Sequence, residues 1–224
     1  ILFASLTPFI MFIFFTSGVT DPNRKLHIVA GYLMFSIVSG TISQAAYLTS
    51  SDIAYGWGAF LRTMPAPTWP RMAGNALATL IFTLLTMLPM AVTFVVTTPE
   101  VSILLVVRMF AGLILPALCF GVLGWLIGLF VQPDNIGFIV GAIYMALAIV
   151  GGLLTGGEKI HALPEIIFLL VPSKWSLDVY SAVLQGGNVL APAMALVGTT
   201  LLWALVTLMI AKAISTTKSA LNAA

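Results

Sequence analysis

The sequence predicts an all-α integral membrane protein with six spanning helices, an amphipathic helix after the second, and a re-entrant helical hairpin before the last. Three observations predict it. Hydrophobic residues make up 60% of the 224-residue chain and charged residues 7%, with a mean hydropathy of +1.12, whereas soluble domains carry about 25% charged residues. The apolar residues come in uninterrupted runs that reach or exceed the roughly 20 residues needed to cross a hydrocarbon layer about 30 Å thick. None of these runs alternates in polarity, as the roughly ten-residue segments of a membrane β-barrel do.

The first span is predicted over 1–19. It opens on "ILFASLTPFIMFIFFTSG" with neither Met nor a basic flank, so a signal peptide is a poor reading, and further residues are expected before Ile1. "TDPNRK" (20–25) then makes a turn, and the second span runs over 28–50. Within it Ser36, Ser39, Gly40, Ser43, Gln44 and Tyr47 share one helix face, a stripe that either bonds to neighbouring helices or lines a pathway.

"SDIAYGWGAFLRTMPAPTWPR" (51–71) interrupts the apolar runs. Ser50, Ser51 and Asp52 are good N-cap types, and Ile53, Trp57, Phe60, Leu61 and Met64 recur at i, i+4, i+7, i+8 and i+11. The spacing predicts an amphipathic helix over 52–64, ended by Pro65, Pro67 and Pro70 and too short to span. The third, fourth and fifth spans follow over 73–97, 103–131 and 135–156, joined by the turns "TTPE" and "QPDN". The fourth carries Gly121, Gly124 and Gly128, and the fifth Gly137 and Gly141, at the spacing that lets helix backbones approach in lipid, either inside the bundle or between two copies.

Residues 156–187 contain an apolar core, Leu163 to Val171, that is too short to cross and is broken by "VPSKW". A re-entrant or interfacial helical hairpin over 160–187 fits best, and irregular backbone at that depth must be buried in protein or face water. The sixth span is predicted over 189–213, and the whole chain, 1–224, reads as one transmembrane domain.

Several functions are excluded by composition and spacing. The net charge of +2, with no Lys/Arg cluster, argues against nucleic acid as a partner and leaves the bilayer. Cys119 is the single cysteine, so no disulfide framework or thiolate metal site can be drawn. "GGLLTGGEK" (151–159) imitates a phosphate-binding loop, but Glu158 stands where Lys must meet phosphate. His27 and His161 lack ligand spacing, and no G-x-S-x-G is present, so no metal and no catalytic residue is assigned. Ionisable residues are almost absent from the span centres, which counts against a proton-coupled carrier. Lys/Arg bias does not decide orientation, with Arg62, Arg71, Lys212 and Lys218 on one side and Arg24, Lys25, Arg108, Lys159 and Lys174 on the other.

The order of these features resembles the permease subunit of type-2 ABC exporters over nearly the whole chain. "LRTMPAP" (61–67), "FGVLGWLIGLF" (120–130), "GGLLTGG…LPEIIFLLVPSKW" (151–175) and "LDVYSAVLQGG" (177–187) carry the resemblance. It implies an ATP-driven exporter without enzymatic activity of its own, with ATP and magnesium held by two cytoplasmic ABC ATPase subunits and a second permease copy or paralogue completing the pathway. It also implies a cell inner (cytoplasmic) membrane with both termini cytoplasmic. The segment 52–64 would then be the coupling helix, with Asp52, Trp57, Phe60, Arg62 and Pro65 at the contact with the motor. Substrate would meet Ser43, Gln44, Tyr47, Tyr144 and Met145, below a gate hairpin marked by Pro164, Glu165, Pro172, Lys174 and Trp175.

The few charges and many Phe, Met and Ser suggest amphipathic or hydrophobic cargo such as a drug, an antibiotic or a lipid. The sequence departs from the family in having "SSDIAYGWG" where members often carry Glu- and Arg-rich residues before the coupling helix, and in showing no amphipathic helix before the first span. A passive channel or scaffold, or a membrane-embedded enzyme without ATPase coupling, is the alternative that the residues leave open.

Overall fold

The computed structural model describes residues 10, 13, 22–54, 60, 63, 69–97, 102–155 and 164–221. The described residues form seven helices: α1 (Pro22–Ala54), α2 (Trp69–Thr97), α3 (Ile103–Gly128), α4 (Pro133–Val150), α5 (Glu165–Leu170), α6 (Pro172–Gln185) and α7 (Leu190–Leu221). Five of them contain stretches long and apolar enough to cross a membrane: Leu26–Ala54, Ala73–Val96, Ile103–Gly128, Pro133–Val150 and Leu190–Met209. These correspond to the second to sixth predicted spans. The first, 1–19, lies outside the described residues except for Ile10 and Ile13.

Successive spans run in opposite directions, which gives the bundle two ends. The upper end holds residue 102 and the 186–189 turn, and the lower end holds the last turn of α1, the first turn of α2 and the 129–132 turn. α1 is the central post. It packs against α2, α3, α4 and α6, and 72% of its apolar stretch is buried, against 11% for α7. A central helix must satisfy its polar side chains without water, and α1 does so for several of them, within its own turns or across to α2. Ser39 Oγ donates to Ser36 O at 3.2 Å, Thr49 Oγ1 donates to Ala45 O at 2.8 Å, and the Thr41 and Thr83 hydroxyls share a hydrogen bond of 3.3 Å across to α2.

Small residues set how closely α3 approaches α1. A Cβ on Gly124 would stand 2.6 Å from Ile42 O, and one on Gly128 would overlap Ala46 O, so the two backbones meet at these glycines. α3 starts on Ser102, whose Oγ accepts from Leu105 N at 3.2 Å. α4 starts with Pro133 in the first helical position, where the missing N–H costs nothing. It ends in a left-handed Gly152 (φ 71°), with Leu153 N donating to Ala148 O at 2.9 Å and Gly152 N to Ile149 O at 3.2 Å. Ala148 and Leu153, both fully buried, complete this glycine-terminated cap.

The amphipathic helix predicted to begin at Asp52 differs from what is observed, because 51–54 continue α1. The reason lies in the side chains expected to cap it. Ser50 Oγ donates instead to Val131 O at 2.5 Å, and the Asp52 carboxylate accepts from Asn75 Nδ2 at 3.4 Å, so both are used for tertiary contacts. Of the remainder of 52–64, only Phe60 and Thr63 are described, both helical and exposed.

Candidate functional site

The chain breaks between α4 and α7. The six-residue α5 and fourteen-residue α6 are each below spanning length. They are separated by Val171, whose extended backbone (φ −90°, ψ 121°) ends one helix, while Pro172 opens the next. Ending a helix strands carbonyls, and two indoles take them up. Trp175 Nε1 donates to Leu169 O at 2.8 Å, and Trp203 Nε1, from α7, donates to Leu170 O at 2.9 Å. Ser173 Oγ donates to Leu147 O of α4 at 2.5 Å and fills the space that a Cβ on Gly151 would occupy. Farther along α6, Tyr180 lies in the notch left by Gly112 of α3, and the left-handed Gly186 (φ 71°) ends the helix beside the Arg108 guanidinium. A cation there suits the negative end of the helix dipole.

Lys174 and Asp178 pair at 2.8 Å one turn apart on α6. The ammonium also lies 3.6 Å from the centre of the Trp175 ring and 5.8 Å from that of Phe168, an attractive placement for a cation. Of the expected gate residues, Pro172, Lys174 and Trp175 therefore converge on the break. Pro164 and Glu165 are exposed at the start of α5.

The expected pathway residues are brought together only in part. Ser43 and Gln44 are half-buried on α1, and Tyr47 is exposed one turn below. Gln44 Oε1 is buried without a hydrogen-bond partner among the described residues, which marks a polar group awaiting something. Tyr144 of α4 does reach α1, but at Phe35, in an edge-to-face contact with ring centres 5.9 Å apart. Phe35 stands about 12 Å above Ser43 at 1.5 Å per residue. Met145 is exposed beside it.

The glycines divide into two groups. Gly124 and Gly128 are sealed against α1, with Gly121 against Thr41, whereas a Cβ on Gly137 or Gly141 would meet nothing within 4 Å. Of the expected motor contacts, Asp52 and Phe60 are described, and Trp57, Arg62 and Pro65 lie outside the described residues.

A cavity of about 510 Å³ lies between α1, α2 and α3. Its walls include Ala45, Ala117, Gly121 and Trp125, and the Asp52–Asn75 pair stands at its lower end. It occupies the side of α1 away from Ser43 and Tyr47, and sequence reading missed it. The cluster of small residues at helical spacing was its only signal. No protein-family model, no curated protein and no solved structure matches the chain.

Proposed function

We propose that this chain is the permease subunit of an ATP-driven exporter of the type-2 ABC class, moving an amphipathic or hydrophobic substrate by alternating access. The observation that carries the reading is the position of the two interruptions. The 55–68 connection joins the lower ends of α1 and α2, while α6 rises from the α5–α6 break to the upper end, where Gly186 lies beside Arg108, in a bundle centred on α1. In this reading the lower interruption receives the push of two cytoplasmic ATPase subunits, and the upper one is a re-entrant hairpin that gates release.

The chemistry of the break supports a re-entrant placement. Two indole donors and a serine satisfy backbone groups at the break, as any segment placed away from water requires. Gly137 and Gly141, open on α4, offer a close-packing surface to a second copy, and the half-buried Ser43 and Gln44 face the path between copies.

The test is co-purification of the full-length protein from native membranes, comparing wild type with Trp57→Ala/Arg62→Ala. An ATPase that copurifies with wild type and is lost from the variant supports the reading. Wild-type preparations free of ATPase would overturn it. Within that reading, Gln44→Leu and Tyr144→Ala are expected to impair transport while leaving the ATPase bound; unchanged transport would remove those residues from the path.

A further inference from the structure

α6 carries a line of polar residues that the gate reading does not use. Lys174, Asp178, Ser181 and Gln185 recur at i, i+4, i+7 and i+11 and therefore share one face. The opposite side of α6 is buried, through Ser176, Val179 and Tyr180, and Leu177 and Leu184 are buried along one edge of the line. The line itself is open among the described residues: Lys174, Asp178 and Ser181 are partly exposed and Gln185 is exposed. The Asp178 side chain keeps 43% of its surface accessible even while paired with Lys174.

The depth of this face follows from what α6 touches. Its upper end lies beside Arg108 and its middle against Gly112, and its lower end is tied to Leu147 of α4. The preceding residue pair is tied to α7, because Leu170 O accepts from Trp203. Trp203 lies about 20 Å along α7 from Leu190, and the fourteen residues of α6 span about 21 Å, so two independent rulers agree. Measured from the upper end, both place Lys174 about 18 Å down, past the midplane of a hydrocarbon layer about 30 Å thick. Charged side chains at that depth face protein or water, not acyl chains.

We propose that the Lys174–Asp178–Ser181–Gln185 face of α6 lines a water-filled vestibule that opens at the upper end and reaches the middle of the bilayer, admitting water and small hydrophilic solutes. The vestibule shares with the proposed function only the re-entrant placement of α5 and α6, and it needs no ATPase. Lys174 is held at its floor by the Trp175 ring and by Asp178, so the pair supplies hydration at depth without a net charge.

The experiment is cysteine accessibility in the full-length protein in sealed membranes, in a variant in which Cys119 is replaced by alanine. Gln185→Cys, Ser181→Cys and Asp178→Cys are exposed to a charged, membrane-impermeant methanethiosulfonate, beside Met194→Cys and Leu201→Cys on the apolar surface of α7. Reaction at the α6 positions about a hundredfold faster than at the α7 positions is expected, since only a hydrated thiol ionises readily. The deepest position is read with Lys174→Cys combined with Asp178→Asn, which leaves no lone charge, and it is expected to react as well. Reaction at Gln185→Cys alone, with the deeper positions as slow as Leu201→Cys in folded protein, would overturn the vestibule. Loss of ATPase co-purification would overturn the motor reading and leave this result standing.

Discussion

Adding one methyl group to Gly124 tests how the bundle is held together. A Cβ there stands 2.6 Å from Ile42 O, 2.9 Å from Ile42 Cα and 3.0 Å from Ala45 Cβ. The first two are backbone atoms of the most buried helix, so relief requires α1 and α3 to move apart rather than one side chain to rotate. Overpacking of this kind costs about 1–3 kcal/mol, and the rigidity of the obstacle puts Gly124→Ala toward the top of that range. At about 2–4 °C per kcal/mol for a chain of this size, Tm should fall by roughly 4–12 °C. Gly141→Ala is the matched comparison. It is the same substitution within a spanning helix, yet the new Cβ meets nothing within 4 Å, and removing a helical glycine gains up to about 1 kcal/mol. Thermal unfolding in detergent, followed by loss of the monomer peak, reads both. A clear fall for Gly124→Ala beside little change or a rise for Gly141→Ala is expected. Equal shifts would refute the division of the glycines into a sealed and an open group.

Three further outcomes follow from individual contacts. Trp203→Phe removes the donor to Leu170 O and leaves a carbonyl stranded at the break, so stability should fall by about 1–3 kcal/mol; an unchanged Tm in the same unfolding assay would contradict the capping role. Gly186→Ala places a Cβ on a residue at φ 71° and should cost about 1–2 kcal/mol, measurable in the same unfolding assay. Thr83→Val loses the bond to Thr41 between α1 and α2, and by the scale of hydrogen bonds between membrane helices it should cost only about 0.6 kcal/mol; a loss several times larger would show that the pair does more than join two helices.

Much of the fold is legible in the sequence because lipid imposes one rule, that backbone polar groups be satisfied within helices. The uninterrupted apolar runs locate α1 to α4 and α7, and "VPSKW" correctly marks a break, since Pro172 cannot donate and opens a new helix. The end of α1 is less legible. Ser50 and Asp52 look like caps, but which partner a polar side chain takes depends on chains distant in sequence, here Val131 and Asn75. The glycine motifs are alike in sequence, and only the packing of α3 against α1 separates Gly124 from Gly141.

The site is the least legible part. Tyr144 and Ser43 are each plausible pathway residues, yet nothing local shows that Tyr144 meets α1 about 12 Å above Ser43. Lys174 and Asp178 are visible as an i, i+4 pair, but counting charges at span centres overlooks them, because α6 is not a span and its position in the bundle is set by Leu147, Gly112 and Trp203.

The most direct measurement is electron cryo-microscopy of the full-length protein purified with its partners from native membranes. The proposed function predicts two ATPase subunits seated at the lower end, against the 55–68 connection of each of two copies, with α5 and α6 at the opposite end. Partners bound at the upper end, or a particle with no ATPase at all, would contradict it.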